Sequence, residues 1–171
     1  VKDIDIMDKA NIIIARNKDD YNLKIEGRAT FECCSPIKNF ANNIVPGAIK
    51  KITINLKKCS WMDSTFMGTL AILGLHAKKT NVVVDILHAS EKNIKLLKEL
   101  GIYKLFIYDS NTIVPIRHAW ENIIHQEPNE NITSIANTVL EAHETLMSVN
   151  NANVSKFKKV VELVKKDLDR D

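Results

Sequence analysis

The β-branched run Ile12, Ile13 and Ile14 is followed by a polar segment, residues 17–20, after which Tyr21, Leu23 and Ile25 alternate with polar residues toward Gly27. Two such stretches around a polar turn predict a β-hairpin. Ser35-Pro36 next resembles a helix start with proline in the first turn, and Ile37, Phe40, Ala41 and Ile44 follow at helical spacing before Pro46-Gly47. In residues 51–56 the alternation of Ile52, Ile54 and Leu56 predicts a strand, and Phe66, Leu70, Leu73 and Ala77 then continue with the period of a helix. Residues 82–87 read as an aliphatic strand. Ser90 is placed to cap a helix carrying Ile94, Leu97 and Leu100, with Gly101 as its stop, and residues 105–108 read as a further strand.

Past Tyr108 the pattern weakens. Residues 113–116 form a candidate strand broken by Pro115, and the stretch through Gln126, Glu127, Pro128 and Asn129 reads as a linker. Order returns with Ile132, Ile135, Ala136, Val139, Leu140, His143, Leu146 and Met147 in one stripe. After a break at residues 150–153, Val154, Phe157, Val161, Val164 and Leu168 form another. Two amphipathic helices joined by a short polar turn make an αα-hairpin. The expected fold is therefore α/β: a mixed, mainly parallel sheet with helices on one face, then the C-terminal helical hairpin. Each hairpin helix has one apolar stripe and the pair cannot fold alone, so it either covers its own domain or meets a second copy; a homodimer through the hairpin is the favoured expectation.

At 171 residues, 45% hydrophobic and 26% charged, the chain can bury one good core with a small appendage. The 24 basic and 21 acidic residues are dispersed, so no patch suited to a phosphate backbone stands out and direct nucleic-acid binding is not expected. No apolar run approaches the roughly 20 residues of a membrane span. No basic segment followed by an apolar core and cleavage site opens the sequence, and the three cysteines, Cys33, Cys34 and Cys59, lack CxxC spacing. The expectation is a cytoplasmic protein with no membrane association.

The most distinctive stretch is WMDSTFMGTL, residues 61–70, where Asp63, Ser64 and Thr65 stand between an apolar strand and an apolar helix. Together with ITINL before it, VVVDILHAS after it and KLLKELGIYKLF beyond, this order resembles the STAS domain of bacterial anti-sigma factor antagonists. The likeness covers residues 11–108, and Met62-Asp63-Ser64-Thr65 with Gly68 is its most specific element. The resemblance implies a STAS domain over residues 1–126 and a hairpin extension over 127–171. It implies a non-enzymatic regulator of transcription that binds a serine-kinase anti-sigma factor, is phosphorylated by it at Ser64, and is dephosphorylated by a PP2C-type phosphatase. Thr65 is the lesser candidate acceptor, and Met62, Asp63, Ser64, Thr65, Phe66 and Gly68 are the expected partner-binding residues. The family motif usually continues to glycine where this chain has Phe66, and minimal antagonists lack the helical hairpin.

A serine opening a helix lies near unpaired backbone N–H groups, so a phosphate there gains from those donors and from the helix dipole. The same charge is costly where a partner buries the loop, and one modification can then release a complex. Asp63 and Ser64 also suit a plain helix cap, worth about 1 kcal/mol. Two other readings stay open: a non-catalytic STAS scaffold or complex subunit without a phosphoswitch, and a serine-dependent hydrolase in which His76 or His88 approaches Ser64.

The remaining chemistry-bearing residues point to structure. Adjacent Cys33 and Cys34 suit neither an ordinary disulfide nor zinc ligation and read as buried thiols. His76, His88, His118, His125 and His143 show no metal-ligand spacing, and no metal or cofactor is expected. His143 lies on an apolar stripe and reads as a packed, hydrogen-bonded histidine. Trp61 reads as a core or loop anchor, and the lysines of residues 156–166 as a solvated helix face.

Overall fold

The computed structural model describes residues 10–108, 121–124 and 130–170. The first two strands, β1 (Asn11–Asn17) and β2 (Asp20–Ala29), form the expected hairpin, closed at the Asn17–Asp20 pair with Lys18 at φ 54°. Their apolar positions, Ile12, Ile14, Leu23 and Ile25, are all buried. A 3-10 turn at Phe31–Cys33 leads into α1 (Ser35–Asn42), which starts at the predicted Ser-Pro pair and ends four residues before Pro46. The chain then enters β3 (Lys51–Met62) parallel to β2.

From β3 it passes through α2 (Ser64–Lys79) into β4 (Val83–Leu87), parallel to β3. Helix α3 (Glu91–Glu99) follows, with Ser90 accepting from the Asn93 N–H at 3.1 Å. Gly101, at φ 72°, closes that helix: its N–H donates to the Lys98 carbonyl, and that of Ile102 to Leu97. This is the left-handed stop that glycine accepts without strain.

The sheet order is β4-β3-β2-β1-β5, parallel across β2, β3 and β4 and antiparallel at β1. The fifth strand, β5 (Glu121–Ile124), pairs with β1 through a register shift and has no counterpart among the sequence expectations. Residues 105–108 do not form the predicted strand. A 3-10 turn occupies Tyr103–Leu105, Ile107 makes one bridge to Asp85, and Phe106 turns inward against Gly74 of α2. Tyr108 stacks on Tyr103 with ring centroids 4.0 Å apart, which holds the segment as a turn. The candidate strand at 113–116 and the candidate linker at 126–129 lie outside the described residues, as do His118 and His125.

The C-terminal hairpin is formed by α4 (Ile132–Val149) and α5 (Ala152–Leu168). Helix α4 is capped by Asn131, whose side chain accepts from the Ser134 N–H at 2.7 Å, and it lies across α2. Its buried seam, Thr138, Ala142, His143 and Leu146, is rotated slightly from the predicted stripe and leaves Ile132 85% exposed. The inward stripe of α4 is thus seated on its own domain. Helix α5 packs on α4 through Phe157 and Val161 and turns Val154, Val160 and Leu163 outward.

That placement explains α2. Phe66, Leu70, Leu73 and Ala77 are buried as the period requires, but so are Met67, Ala71 and Ile72, because a second helical layer covers α2. Gly68 is the point of closest approach: a Cβ built there would lie 2.5 Å from the Ala142 carbonyl oxygen.

Candidate functional site

Strand β3 ends at Met62 and α2 begins at Ser64, with Asp63 as the extended residue between them. The backbone N–H of Asp63 still donates to the Ala29 carbonyl at the end of β2. Its carboxylate then turns both ways. Oδ1 accepts from the Phe66 N–H at 2.7 Å, the helix-capping bond, and Oδ2 accepts from the Phe31 N–H at 2.9 Å. One side chain therefore joins the segment after β2 to the start of α2. Burial raises the Asp63 carboxyl above its ordinary value, against the opposing pull of the Phe66 and Phe31 N–H groups and of His143.

Ser64 is the first residue of α2 and is half-buried. Its Oγ lies 2.9 Å from Nε2 of His143 on α4, 79 residues away. The other ring nitrogen of His143, Nδ1, is 2.7 Å from the Val139 carbonyl oxygen. That carbonyl can only accept, so Nδ1 carries a proton, and in the neutral ring Nε2 is left as an acceptor. With the ring neutral, the Ser64 hydroxyl is the donor to it. Phe157 of α5 packs edge-on to the imidazole at 4.9 Å, and His143 is only 4% exposed.

The other expected binding residues lie deeper. Met62 and Phe66 are core side chains, Thr65 and Gly68 are buried, and the hydroxyl of Thr69 donates to the Thr65 carbonyl. Phe66, which stands where the motif of the resembled family has glycine, is fully buried in the core. Trp61 is half-buried with the Arg28 guanidinium 4.7 Å over its ring. Lys38 and Glu141, paired at 2.6 Å, brace α1 against α4 beside the site.

Neither histidine considered as a base reaches Ser64: His76 Nδ1 bonds the Ala41 carbonyl at 3.1 Å, and His88 is exposed with φ 56°. His143 holds the position instead. A histidine on an apolar stripe signals that a buried partner exists, but nothing in the spacing says which. A serine hydroxyl donating to a histidine is also the first half of a nucleophilic dyad. Here the Phe66 N–H at the start of α2 is already taken by the Asp63 carboxylate. The contact ties the start of α2 to α4. Among the described residues no cluster of three or more His, Cys, Asp or Glu is placed to hold a metal, and no described helix is long and apolar enough to cross a membrane. Cys33, Cys34 and Cys59 are buried free thiols.

This fold is found in solved regulatory proteins. The unphosphorylated form of the anti-sigma factor antagonist SpoIIAA superimposes with a TM-score of 0.50 at 16% identity, over 58% of this chain and 89% of that one. The phosphorylated form of the Bacillus cell-fate determinant SpoIIAA gives 0.48 at 16% identity, over 58% and 92%. An antisigma-factor antagonist STAS domain from Rhodobacter sphaeroides gives 0.35 at 15% identity, over 46% and 90%. No protein-family model matches the chain, and no curated protein matches it. The likeness to SpoIIAA establishes the STAS fold expected from the MDST motif.

Proposed function

We propose that this protein is an anti-sigma factor antagonist: a binding module that engages a serine-kinase anti-sigma factor and is released from it by phosphorylation of Ser64. The observation that carries this reading is the position of Ser64, the first residue of α2, with its hydroxyl beside an N-terminus already capped by Asp63. A phosphate at that place is favoured by the helix dipole and adds about −1.5 to −2 charges without requiring the sheet to move. A PP2C-type phosphatase would reverse the change. In this reading residues 1–126 form the STAS domain and residues 127–171 an appended regulatory hairpin. Self-association through the outward face of α5 is compatible with it, and light scattering of the full chain tests that point.

A second reading, a constitutive STAS scaffold without a switch, is favoured by the engagement of the Ser64 hydroxyl with His143. Isolation from native cells followed by intact-mass measurement separates the two. A phosphate adduct mapped to Ser64, with Ser64→Asp weakening kinase binding and Ser64→Ala preserving it, supports the switch. An unmodified protein recovered in a stable complex supports the scaffold. Equal affinity of a kinase for unmodified and phosphorylated protein would overturn the switch.

A further inference from the structure

We infer that the α4–α5 hairpin is an autoinhibitory latch on Ser64, and that closure of the latch and phosphorylation of that serine exclude one another. The inference rests on the reading of Ser64 as a phosphoacceptor and concerns how that acceptor is regulated.

Three observations meet at one place. The Ser64 hydroxyl proton is engaged by Nε2 of His143, whose tautomer is held by the Val139 carbonyl. The backbone of α4 touches α2 at Gly68, one helical turn from Ser64, where any side chain would collide with Ala142. Lys38 of α1 pairs with Glu141, two residues before His143, and so ties α4 to α1 as well. Phosphoryl transfer would replace the Oγ–H bond with an Oγ–P bond. The phosphoryl group would come from a nucleoside triphosphate held by the kinase, the nucleoside diphosphate would leave, and the proton would pass to a base on the kinase. Along the direction in which Oγ now points, the volume needed by that group is filled by imidazole. Rotating Oγ elsewhere leaves Nε2 buried without its donor, so either route works against the closed hairpin.

The hairpin is also sparsely anchored. Its two helices bury four and two residues, against eleven on α2, and its outer helix is largely solvated. Sparse burial of this kind is what local opening requires. Coupling between two sites is reciprocal: whatever factor closure imposes against phosphorylation, phosphate imposes against closure.

The test uses the full chain with phosphoserine encoded at position 64 during synthesis, compared with the unmodified chain by hydrogen exchange. Exchange in residues 132–168 should accelerate by about 5–150-fold, the usual range of such couplings, while β1–β4 keep their protection. In a second arm, Ser64→Cys serves as a thiol reporter in the otherwise intact chain, since Cys33, Cys34 and Cys59 are buried. Gly68→Ala and, separately, Glu141→Lys should raise its labelling rate by a similar factor; the second keeps the arm valid if the first does not fold. Equal hairpin protection with and without phosphate, or a reporter indifferent to both substitutions, would overturn the latch. Hairpin opening on encoded phosphoserine, with Ser64 never modified in native cells, would leave the latch standing and remove the phosphoswitch.

Discussion

The carboxylate of Asp63 accepts a hydrogen bond from the backbone N–H of Phe31, 32 residues earlier, while its other oxygen caps α2. Asp63→Ala removes both bonds at once. The cap alone is worth about 1 kcal/mol and a net hydrogen bond about 0.5–1.5 kcal/mol, so the substitution should cost roughly 1–3 kcal/mol in urea denaturation. Asp63→Asn should cost less, since its one amide oxygen can keep the cap, but its NH₂ cannot accept from Phe31.

Asp63 also makes stability depend on pH with an uncommon sign for a carboxylate. Its folded value is raised above the ordinary 3.8, so the folded state holds its proton longer than the unfolded one. The contribution of this residue is most favourable below 3.8 and declines as pH rises from there through the raised folded value. Asp63→Asn should therefore gain on the wild-type protein across that interval and run parallel to it above. A side-chain carboxyl titration by NMR showing a value at or below the ordinary one would refute this.

The bond between Ser64 and His143 can be weighed by a double-mutant cycle. Ser64→Ala leaves Nε2 buried without a donor and should cost about 1–3 kcal/mol. His143→Ala should cost more, because it also empties the space against Phe157. The coupling energy should fall within about 0.5–3 kcal/mol, and additive costs would show that the contact is not energetically engaged.

A second tie holds the hairpin at its turn. The Asn153 amide donates to the carbonyls of Leu100, at 2.9 Å, and of Leu146, at 2.8 Å, so one fully buried side chain joins α3, α4 and α5. Asn153→Ala strands the Leu100 carbonyl, leaves Leu146 only its bond from the Asn150 N–H, and should lower stability by roughly 1–3 kcal/mol, with hydrogen exchange accelerating first in α4 and α5.

The thiols should be inert in the folded protein. Burial pushes Cys33 up to about 12, raises Cys34 well above the ordinary value, and raises Cys59 as well. With so little thiolate at mildly alkaline pH, native protein should react far more slowly with a disulfide reagent than denatured protein. Rapid reaction of any of the three in the native state would contradict their placement.

The parts of this fold that could be read in advance are those in which local pattern and tertiary environment agree. The alternation in β1, β2 and β3, the Ser90 cap and the Gly101 stop each write their conformation into neighbouring residues. Strand β5 does not, because four residues that pair through a register shift carry too little pattern. Phe106 misled for a different reason: it turns toward the space left by Gly74, a neighbour 32 positions away, instead of extending a strand. At the site, the turn from strand to helix at Asp63 and Ser64 was legible from residue type, and so was the need of His143 for a partner. Their meeting was not, since a contact spanning 79 residues leaves no periodic trace.

That same separation gives the contact a place in time. Ribosomes extend a chain by about 5–20 residues each second, so Ser64 is made roughly 4–16 seconds before His143 exists to cover it. Every newly synthesised molecule passes through an interval in which the serine exists and its cover does not. An enzyme acting on nascent chains meets a different substrate from one acting on finished protein, and the age of a molecule becomes a variable in its modification.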